Sequence, residues 1–439
     1  MKMKSLFFGG IHPADRKELS ASAQLKPVSH PKQVTIPMSQ HIGNPCTPLV
    51  KVGDYVKKGQ KIGDGEGLCV PVHASVSGTV TAIEPRRHPN GRDVLSVVIE
   101  NDFQDMADQT MNAYEDYSAL SVDQVIEAIR EAGIVGMGGA TFATNIKAAA
   151  SMEKVETLIA NACECEPYIT SDDMLLRTSP QQVLEGMRII CHILNPKRVV
   201  LAVEENKKDA IEILKKELIN EKKIELLVLP TRYPQGAEKQ LVQTVTGREI
   251  APGQLPASVE AAVFNVATFA YTYRAVCLGQ PVTERIVTVS GEAVKNPGNY
   301  LARIGTGFEE LIEAAGGLKE DVWKVIAGGP MMGIAQEDLS ASTVKGSSSI
   351  LCLTHAQNGE SKEEVTCIRC GECLKVCPMN LQPLYLYAYT KKGDREALNR
   401  LNVLDCIECG CCSYACPGKL PLVEQFRIGK RIVKEEKRS

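Results

Sequence analysis

The sequence has no apolar run approaching the ~18–20 residues of a membrane-spanning helix, so nothing in it reads as a membrane span. It has no excess of either charge. The 50 Lys and Arg against 53 Asp and Glu leave a formal charge of −3, which excludes a basic field for nucleic acid. The opening residues, Met1-Lys-Met-Lys-Ser-Leu-Phe-Phe-Gly-Gly10, are basic and then briefly apolar. They lack a signal-peptide core of adequate length and an Ala-x-Ala cleavage site, so a cytosolic chain is expected, and contact with a membrane would run through a partner. Disulfides are disfavoured there, and the 16 cysteines point instead to metal or redox work. What is present is ordinary for a globular protein: 439 residues, 44% hydrophobic and 23% charged. At ~100–200 residues per domain, that length allows two to four domains.

Four textures follow one another along the chain. Residues 45–84 alternate short β-rich pieces with Gly-Asp and Ser-Gly turns, which predicts a small all-β unit. The pattern resembles the barrel-sandwich domain of lipoyl and biotinyl carriers. A carrier needs a lysine at the tip of its central hairpin, and here the tip reads Glu66-Gly-Leu-Cys-Val-Pro71. A docking or packing domain is therefore expected. From residue 118 strands and helices alternate. Ser121–Ala132 reads as a capped amphipathic helix and Pro180–Leu194 as a helix with Pro in its first turn. Thr157–Ala162, Arg198–Val203 and Ile224–Leu229 read as buried strands, with a helix at 206–219 between the last two. This predicts an α/β domain with a largely parallel sheet, whose ligands sit at the strand C-terminal ends. Residues 285–333 turn β-rich again, and their pattern resembles a small β-grasp domain of the soluble ligand-binding type. Residues 340–365 are polar and Ser-rich, as in a linker.

Eight cysteines fall in two runs near the C-terminus: Cys367-x-x-Cys370-x-x-Cys373-x-x-x-Cys377-Pro378 and Cys406-x-x-Cys409-x-x-Cys412-x-x-x-Cys416-Pro417. This is the bacterial ferredoxin signature for [4Fe–4S] clusters, present twice. Three cysteines two residues apart wrap one cube, and the fourth, before Pro, points to the other. Cys367, Cys370, Cys373 and Cys416 are expected to hold one cluster, and Cys377, Cys406, Cys409 and Cys412 the second. Zinc normally takes two cysteine pairs rather than a repeated triplet plus Cys-Pro. Cys411 is off-register and reads as packing beside a cluster. The other cysteines (46, 69, 163, 165, 191, 277 and 352) read by default as small buried hydrophobes.

A glycine-rich loop, Gly133-Ile-Val-Gly-Met-Gly-Gly-Ala-Thr-Phe-Ala-Thr-Asn-Ile-Lys147, opens a helix. Glycines let the backbone approach a phosphate, whose charge suits the free N–H groups of a helix start, and Lys147 can neutralise it. Asn161-Ala-Cys-Glu-Cys-Glu-Pro167 follows a strand, Tyr233-Pro-Gln-Gly-Ala-Glu238 follows another and opens a helix, and Asn265-Val-Ala-Thr268 lies in a helical stretch.

These four segments, in this order, resemble the FMN- and NADH-binding segments of the flavin subunit of respiratory NADH dehydrogenase. With Gly9-Gly-Ile-His-Pro13, the barrel-sandwich and β-grasp segments and the two ferredoxin runs, the resemblance is closest to the C-subunit family of Rnf electron-transport complexes and covers nearly the whole chain. It implies that Gly136, Gly138, Gly139 and Lys147 cradle the FMN phosphate, and that Asn161, Glu164, Tyr233, Gly236, Glu238, Asn265 and Thr268 line the flavin. It also implies that Phe142 and Glu166 contact the nicotinamide nucleotide. The respiratory subunit has Gly-Arg-Gly where Gly136-Met137-Gly138 stands and an aspartate where Cys163 stands, so a cation and a carboxylate are missing from those positions.

The resemblance implies a multidomain α/β chain divided as follows: 1–115 an unmodified barrel-sandwich domain, 116–282 an FMN/NAD(H)-binding α/β domain, 283–340 the β-grasp domain, 341–365 the linker, and 366–439 a helical two-cluster ferredoxin-like domain. The implied function is an NAD(H)-linked oxidoreductase subunit, peripheral on the cytoplasmic side of the membrane. Its implied partners are the other subunits of an ion-translocating complex, NAD(H), and ferredoxin indirectly. A soluble flavin/iron–sulfur reductase, such as a microcompartment cobalamin reductase, and a non-catalytic electron relay with a degenerate flavin site are the alternatives.

Overall fold

The alternation of buried residues decides which parts of the chain become layers of an α/β sandwich and which become two-sheet sandwiches. The computed structural model describes residues 7–28, 30–357 and 366–435. The opening residues 1–6 and the part of the expected linker at 358–365 lie outside the described residues.

In the strand Thr157–Ala162, Leu158, Ala160 and Ala162 face one hydrophobic core and Ile159 faces another. The strand Arg198–Glu204 divides the same way, Val199, Leu201 and Val203 against Val200 and Ala202. A strand buried on both faces needs a helical layer on each. The helices Val122–Glu131, Pro180–Leu194, Lys208–Glu217 and Val266–Leu278 cover one face, and Glu238–Thr246 covers the other. The sheet is parallel throughout, in the order Ile224–Leu229, Arg198–Glu204, Thr157–Ala162, Ala261–Asn265. The chain moves outward from Thr157–Ala162 through two strands and then returns to its other side with Ala261–Asn265. The order therefore reverses between Thr157–Ala162 and Ala261–Asn265. Such a reversal opens a crevice at the strand C-terminal ends.

The N-terminal domain stacks a four-stranded antiparallel sheet (Gln33–Pro37, Asp93–Asn101, Gly78–Arg87, Tyr55–Val56) on a three-stranded one (Thr47–Pro48, Lys61–Asp64, Val72–His73). Val34, Ile36, Ile62, Val72, Val80 and Ile99 fill the space between them. A six-stranded mixed sheet builds the third unit, in the order Lys26–Pro27, Gly298–Arg303, Glu284–Ser290, Ser349–Leu353, Lys324–Ala327, Ile334–Ala335.

That order corrects the expected linker at 341–365. Ser349–Leu353 is a wholly buried strand in the interior of this sheet, parallel to Glu284–Ser290 and antiparallel to Lys324–Ala327. Its sequence, Ser-Ile-Leu-Cys-Leu, is a short apolar run among serines, and the serines disguised it. Lys26–Pro27 likewise leaves the N-terminal region to pair with Gly298–Arg303.

The C-terminal part is helical: Glu372–Lys375, Pro383–Lys392, Arg395–Arg400, Cys411–Ala415 and Leu422–Lys434 close around Leu386, Leu398, Val403 and Phe426. No helix among the described residues is long and apolar enough to cross a membrane.

Candidate flavin and cluster sites

Three of the four strand ends of the parallel sheet carry the segments that the sequence singled out. Asn161 is the register partner of Asn265 across the crevice. Asn161 Nδ2 donates to the Gly236 carbonyl oxygen at 2.8 Å. Asn265 Oδ1 caps the helix Val266–Leu278 by accepting from Ala267 N, and its Nδ2 donates to Asp172 Oδ2 at 2.6 Å. Gly236 lies so close to the turn that follows strand Thr157–Ala162 that a Cβ there would collide with the Cys163 carbonyl oxygen.

The glycine-rich loop passes over this crevice. A Cβ on Gly138 would come within 3.2 Å of Asn265, and Gly139, at φ +103°, faces open space. The loop is fixed from below. Met137 N donates to Thr268 Oγ1 at 3.0 Å, and its carbonyl oxygen accepts from Arg285 at 2.5 Å. Gly136 N and Phe142 O close the loop at 2.8 Å. Helix Thr144–Ser151 then starts without a side-chain cap, its first N–H, of Thr144, donating to the Ile134 carbonyl oxygen at 3.2 Å. Thr144 Oγ1 and Asn145 Oδ1 are buried there with no hydrogen-bond partner. A glycine loop, an uncapped helix start and orphaned polar atoms together fit a phosphate-bearing ligand such as FMN. Lys147 stands one turn on, its Nζ 2.6 Å from Glu238 Oε1 and 5.2 Å from the Phe264 ring centroid. Phe142 is half-buried at the loop's end.

The two departures from the respiratory pattern do not present their side chains to the crevice. Met137 is wholly buried in the larger core, and Cys163 packs beneath helix Glu238–Thr246. A cation and a carboxylate nevertheless reach this region from elsewhere. Arg285, 3% exposed, comes from the six-stranded sheet, and Asp172 comes from helix Ser171–Thr178. Burial pushes the Asp172 carboxyl up, the neighbouring Glu164 charge adds to that, and Arg285 opposes it. Neither residue was found by sequence reasoning. The one available signal was an arginine at a core-facing position of an alternating strand.

Three expected site residues are drawn into other contacts. The Glu164 side chain, 6% exposed, accepts from Asp172 N at 2.8 Å and Ser171 Oγ at 3.1 Å and pairs with the buried Lys207 at 3.5 Å. Lys17 binds the same turn, donating to the carbonyl oxygens of Glu164, Glu166 and Ile169 at 2.9, 2.8 and 2.5 Å. Burial lowers its ammonium to about 8. Glu166 turns toward the third domain, accepting from Met331 N and Met332 N at 3.1 and 2.9 Å. Tyr233 turns toward the cluster domain, its hydroxyl donating to the Cys409 carbonyl oxygen at 2.8 Å.

The cysteine runs fold as near-copies. Arg369 and Glu408 both have positive φ, as do Gly371 and Gly410, and Asn380 and Lys419, at matching positions of the two runs. These left-handed turns curl each triplet around a centre. Cys367, Cys370, Cys373 and Cys416 line one cavity with Leu384, Tyr387 and Leu422. Cys377, Cys406, Cys409 and Cys412 line the other with Leu381, Val423 and Phe426, and Cys411 also borders it. The expected four thiols in an apolar cavity fit a [4Fe–4S] cluster in each, and in the second Leu381 N and Glu408 N lie 3.4 Å from Cys377 Sγ and Cys406 Sγ. Cys411 is fully buried between Cys409, Tyr233 and Ile11, on the side toward the parallel sheet. The second cavity faces the flavin-type domain through Tyr233 and through Gln240 Nε2, which donates to the Pro378 carbonyl oxygen at 3.1 Å. The first lies beyond it, with Cys370, Ile368 and Tyr414 exposed.

Family models match four stretches: the RnfC barrel sandwich hybrid domain at residues 5–104, the Nuo51 FMN-binding domain at 129–274, the SLBB domain at 286–335 and the 4Fe-4S dicluster domain at 360–417. The chain is 43% identical over 434 residues to the C subunit of the Na(+)-translocating ferredoxin:NAD(+) oxidoreductase complex of Acetobacterium woodii, covering 98% of each chain. It is 44% identical over 428 residues to the C subunit of the proton-translocating ferredoxin:NAD(+) oxidoreductase complex of Clostridium ljungdahlii, covering 97% of this chain and 93% of that one. Among solved structures, a chain of an NAD+-reducing [NiFe]-hydrogenase in the H2-reduced state shares the fold at TM-score 0.50 and 18% identity. The match covers 73% of this chain and spans 64% of the hydrogenase chain's length.

Proposed function

The chain belongs to the C-subunit family of ion-translocating ferredoxin:NAD(+) oxidoreductase complexes, and from that premise we propose that it is the subunit at which NAD(H) exchanges electrons with the complex. It is an oxidoreductase subunit that carries FMN and two [4Fe–4S] clusters, with NAD(H) as substrate and the other subunits as partners. The observation that carries this reading is the direct contact between the flavin-type strand end at Tyr233 and the cluster ligand Cys409. FMN, when bound, takes a hydride as a pair and releases electrons singly, which is what a one-electron cluster requires of a two-electron donor.

The chain's own residues supply the frame for this exchange. Arg285 and Thr268 hold the glycine loop at Met137, so that its N–H groups and the start of helix Thr144–Ser151 face the phosphate position. Lys147 stands beside them as the neutralising cation. Asn161, Gly236 and Asn265 line the crevice where the strand order reverses. The cavity of Cys377, Cys406, Cys409 and Cys412 is the proximal station, and that of Cys367, Cys370, Cys373 and Cys416 the distal one. The exposed flank at Cys370 is the outlet toward a partner, and the chain works as a peripheral subunit on the cytoplasmic side. Relatives of equal similarity are named for sodium ions and for protons, so the similarity does not choose the coupling ion.

The test is anaerobic purification with a flavin and iron count, followed by NADH-dependent reduction of an artificial one-electron acceptor. Protein holding both cofactor types that passes no electrons between NADH and the acceptor would overturn the reading.

A further inference from the structure

Two cysteines that the sequence marks only as buried hydrophobes meet at one edge of the barrel-sandwich domain. Cys46 Sγ and Cys69 Sγ are 3.3 Å apart, and a ring nitrogen of His41 lies with both sulfurs, all three atoms within 4.8 Å of one another. All three side chains are buried, at 8%, 4% and 1% exposure for His41, Cys46 and Cys69. They come from two loops. One leads from strand Gln33–Pro37 to Thr47–Pro48, and the other joins Lys61–Asp64 to Val72–His73. The second loop is the hairpin tip where a lipoyl or biotinyl carrier would display its lysine.

We propose that His41, Cys46 and Cys69 form a binding site for a thiophilic divalent cation of the zinc class, separate from the iron–sulfur ligands. At metal–sulfur bonds of ~2.3 Å and metal–nitrogen bonds of ~2.0–2.1 Å, neighbouring donors of a tetrahedral ion stand roughly 3.5–3.8 Å apart, close to the spacing already present. The imidazole is oriented by two backbone contacts. Its Nδ1 lies 3.3 Å from the Ile42 carbonyl oxygen, and its Nε2 accepts from Val70 N at 3.2 Å. The tautomer with the proton on Nδ1 satisfies both contacts, and on metal binding the Nε2 lone pair would exchange the Val70 N–H for the ion. A backbone carbonyl on the far nitrogen is the usual orienting partner of a metal-bound histidine. The fourth donor is the Val70 carbonyl oxygen, 3.2 Å from Cys46 Sγ.

Charge balance favours the same ion. Binding a dication releases two thiol protons to solvent and leaves two thiolates, one neutral imidazole and the metal, which together carry no net charge. A neutral centre avoids the cost of burying a lone ion. Burial pushes the Cys46 thiol up to about 12, and Lys345, wholly buried and anchored to the carbonyl oxygens of Pro71 and Gly133 at 2.6 and 2.7 Å, opposes that rise.

The site would act as a clamp. Its first loop also donates Ile42 N to the Thr141 carbonyl oxygen at 3.1 Å, and its second places Val70 against Val135 and Ala143. Those are residues of the glycine-rich segment itself. A metal joining the two loops would hold that segment against the barrel-sandwich tip.

The experiment uses the full chain, purified anaerobically with its flavin and clusters, with zinc and iron counted together and the zinc coordination read by X-ray absorption at the zinc edge. The expected result is about one zinc per chain with a mixed shell of two sulfurs and two lighter atoms. In Cys46→Ser/Cys69→Ser the zinc should be lost while the iron stays unchanged. If that variant fails to fold, the coordination shell of the unsubstituted protein decides. Zinc absent from the unsubstituted protein, an all-sulfur shell from zinc misplaced in the ferredoxin runs, zinc retained in the double variant, or a Cys46–Cys69 disulfide in place of metal would each overturn the proposal.

Discussion

Lys147→Ala should separate flavin binding from folding. In the structure Lys147 Nζ lies 2.6 Å from Glu238 Oε1, the two side chains being 28% and 41% exposed, and 5.2 Å from the Phe264 centroid. A pair that open to water contributes ~0–1 kcal/mol. The cation–π contact adds ~0.5–1 kcal/mol. The variant should therefore lose no more than ~2 kcal/mol of stability. A charged hydrogen bond to a phosphate is worth ~1.5–3 kcal/mol. Its loss weakens binding by ~10- to 150-fold. FMN titration followed by fluorescence quenching, with an iron count on the same sample, reads both. The expected outcome is a dissociation constant raised at least ~10-fold, iron unchanged and only a small shift in the unfolding midpoint. Glu238→Gln provides the complementary arm. It frees Lys147 from its partner, so FMN that binds at least as tightly as before assigns Glu238 to holding Lys147, and weaker binding assigns it to the flavin itself. Unsubstituted affinity in Lys147→Ala would refute the phosphate role. Joint loss of flavin and iron would show that Lys147 holds the scaffold rather than the ligand.

Cys416→Ser, although it lies in the second run, should remove the cluster held by Cys367, Cys370 and Cys373, taking ~4 of ~8 iron atoms; Mössbauer spectra of the variant would show whether the other cluster survives. Tyr233→Phe leaves the Cys409 carbonyl oxygen without its donor at ~1–3 kcal/mol. The EPR signal of the reduced proximal cluster should change while that of the distal cluster does not. Arg285→Met removes the donor from the buried Met137 and Lys345 carbonyl oxygens, at ~1–3 kcal/mol each, and takes away a charge that opposes the rise of the Asp172 carboxyl. Flavin affinity should fall further in this variant than in Lys147→Ala, with iron retained, as measured by the same titration.

Local sequence carried most of the parallel sheet and the cluster runs, because both are written in short-range patterns. The strand Thr157–Ala162 announces itself through six consecutive residues, and the cysteine triplets through fixed spacing. The glycine loop was legible as the opening of a helix, whereas Asn161, Gly236 and Asn265 were singled out through resemblance, and Asn265, read within a helical stretch, ends the strand Ala261–Asn265 and caps the helix after it. What stayed hidden depends on partners far away in the chain. Arg285 reaches Met137 across 148 residues, and Lys17 reaches Glu164 across 147. No pattern around Lys17 predicts that its ammonium will replace water on three carbonyl groups. Ser349–Leu353 reads as loop because a strand of five residues behind serines has too short a periodic signal, and only its neighbours on both sides make it a core strand.

The same distant contacts explain why flavin and clusters sit in one chain rather than in two. The N-terminal arm threads between their domains: Gly10 N donates to the Val376 carbonyl oxygen, and Ile11 pairs with Tyr233. Gly9, at φ +71°, is placed where a Cβ would stand 2.7 Å from the Cys377 carbonyl carbon, so only glycine passes there without strain. Val376 and Cys377 end the first cysteine run, and Tyr233 ends the path from a sheet strand. One short segment thus fixes the cavity of Cys377, Cys406, Cys409 and Cys412 against the flavin-type crevice. Electron tunnelling falls steeply with distance, so a fixed separation matters more to this reaction than the strength of any one contact. The arm's glycines, Tyr233 and Gln240 all act on that separation. At the far end of the cluster domain Cys370 is exposed, and the proposed function puts the partner there.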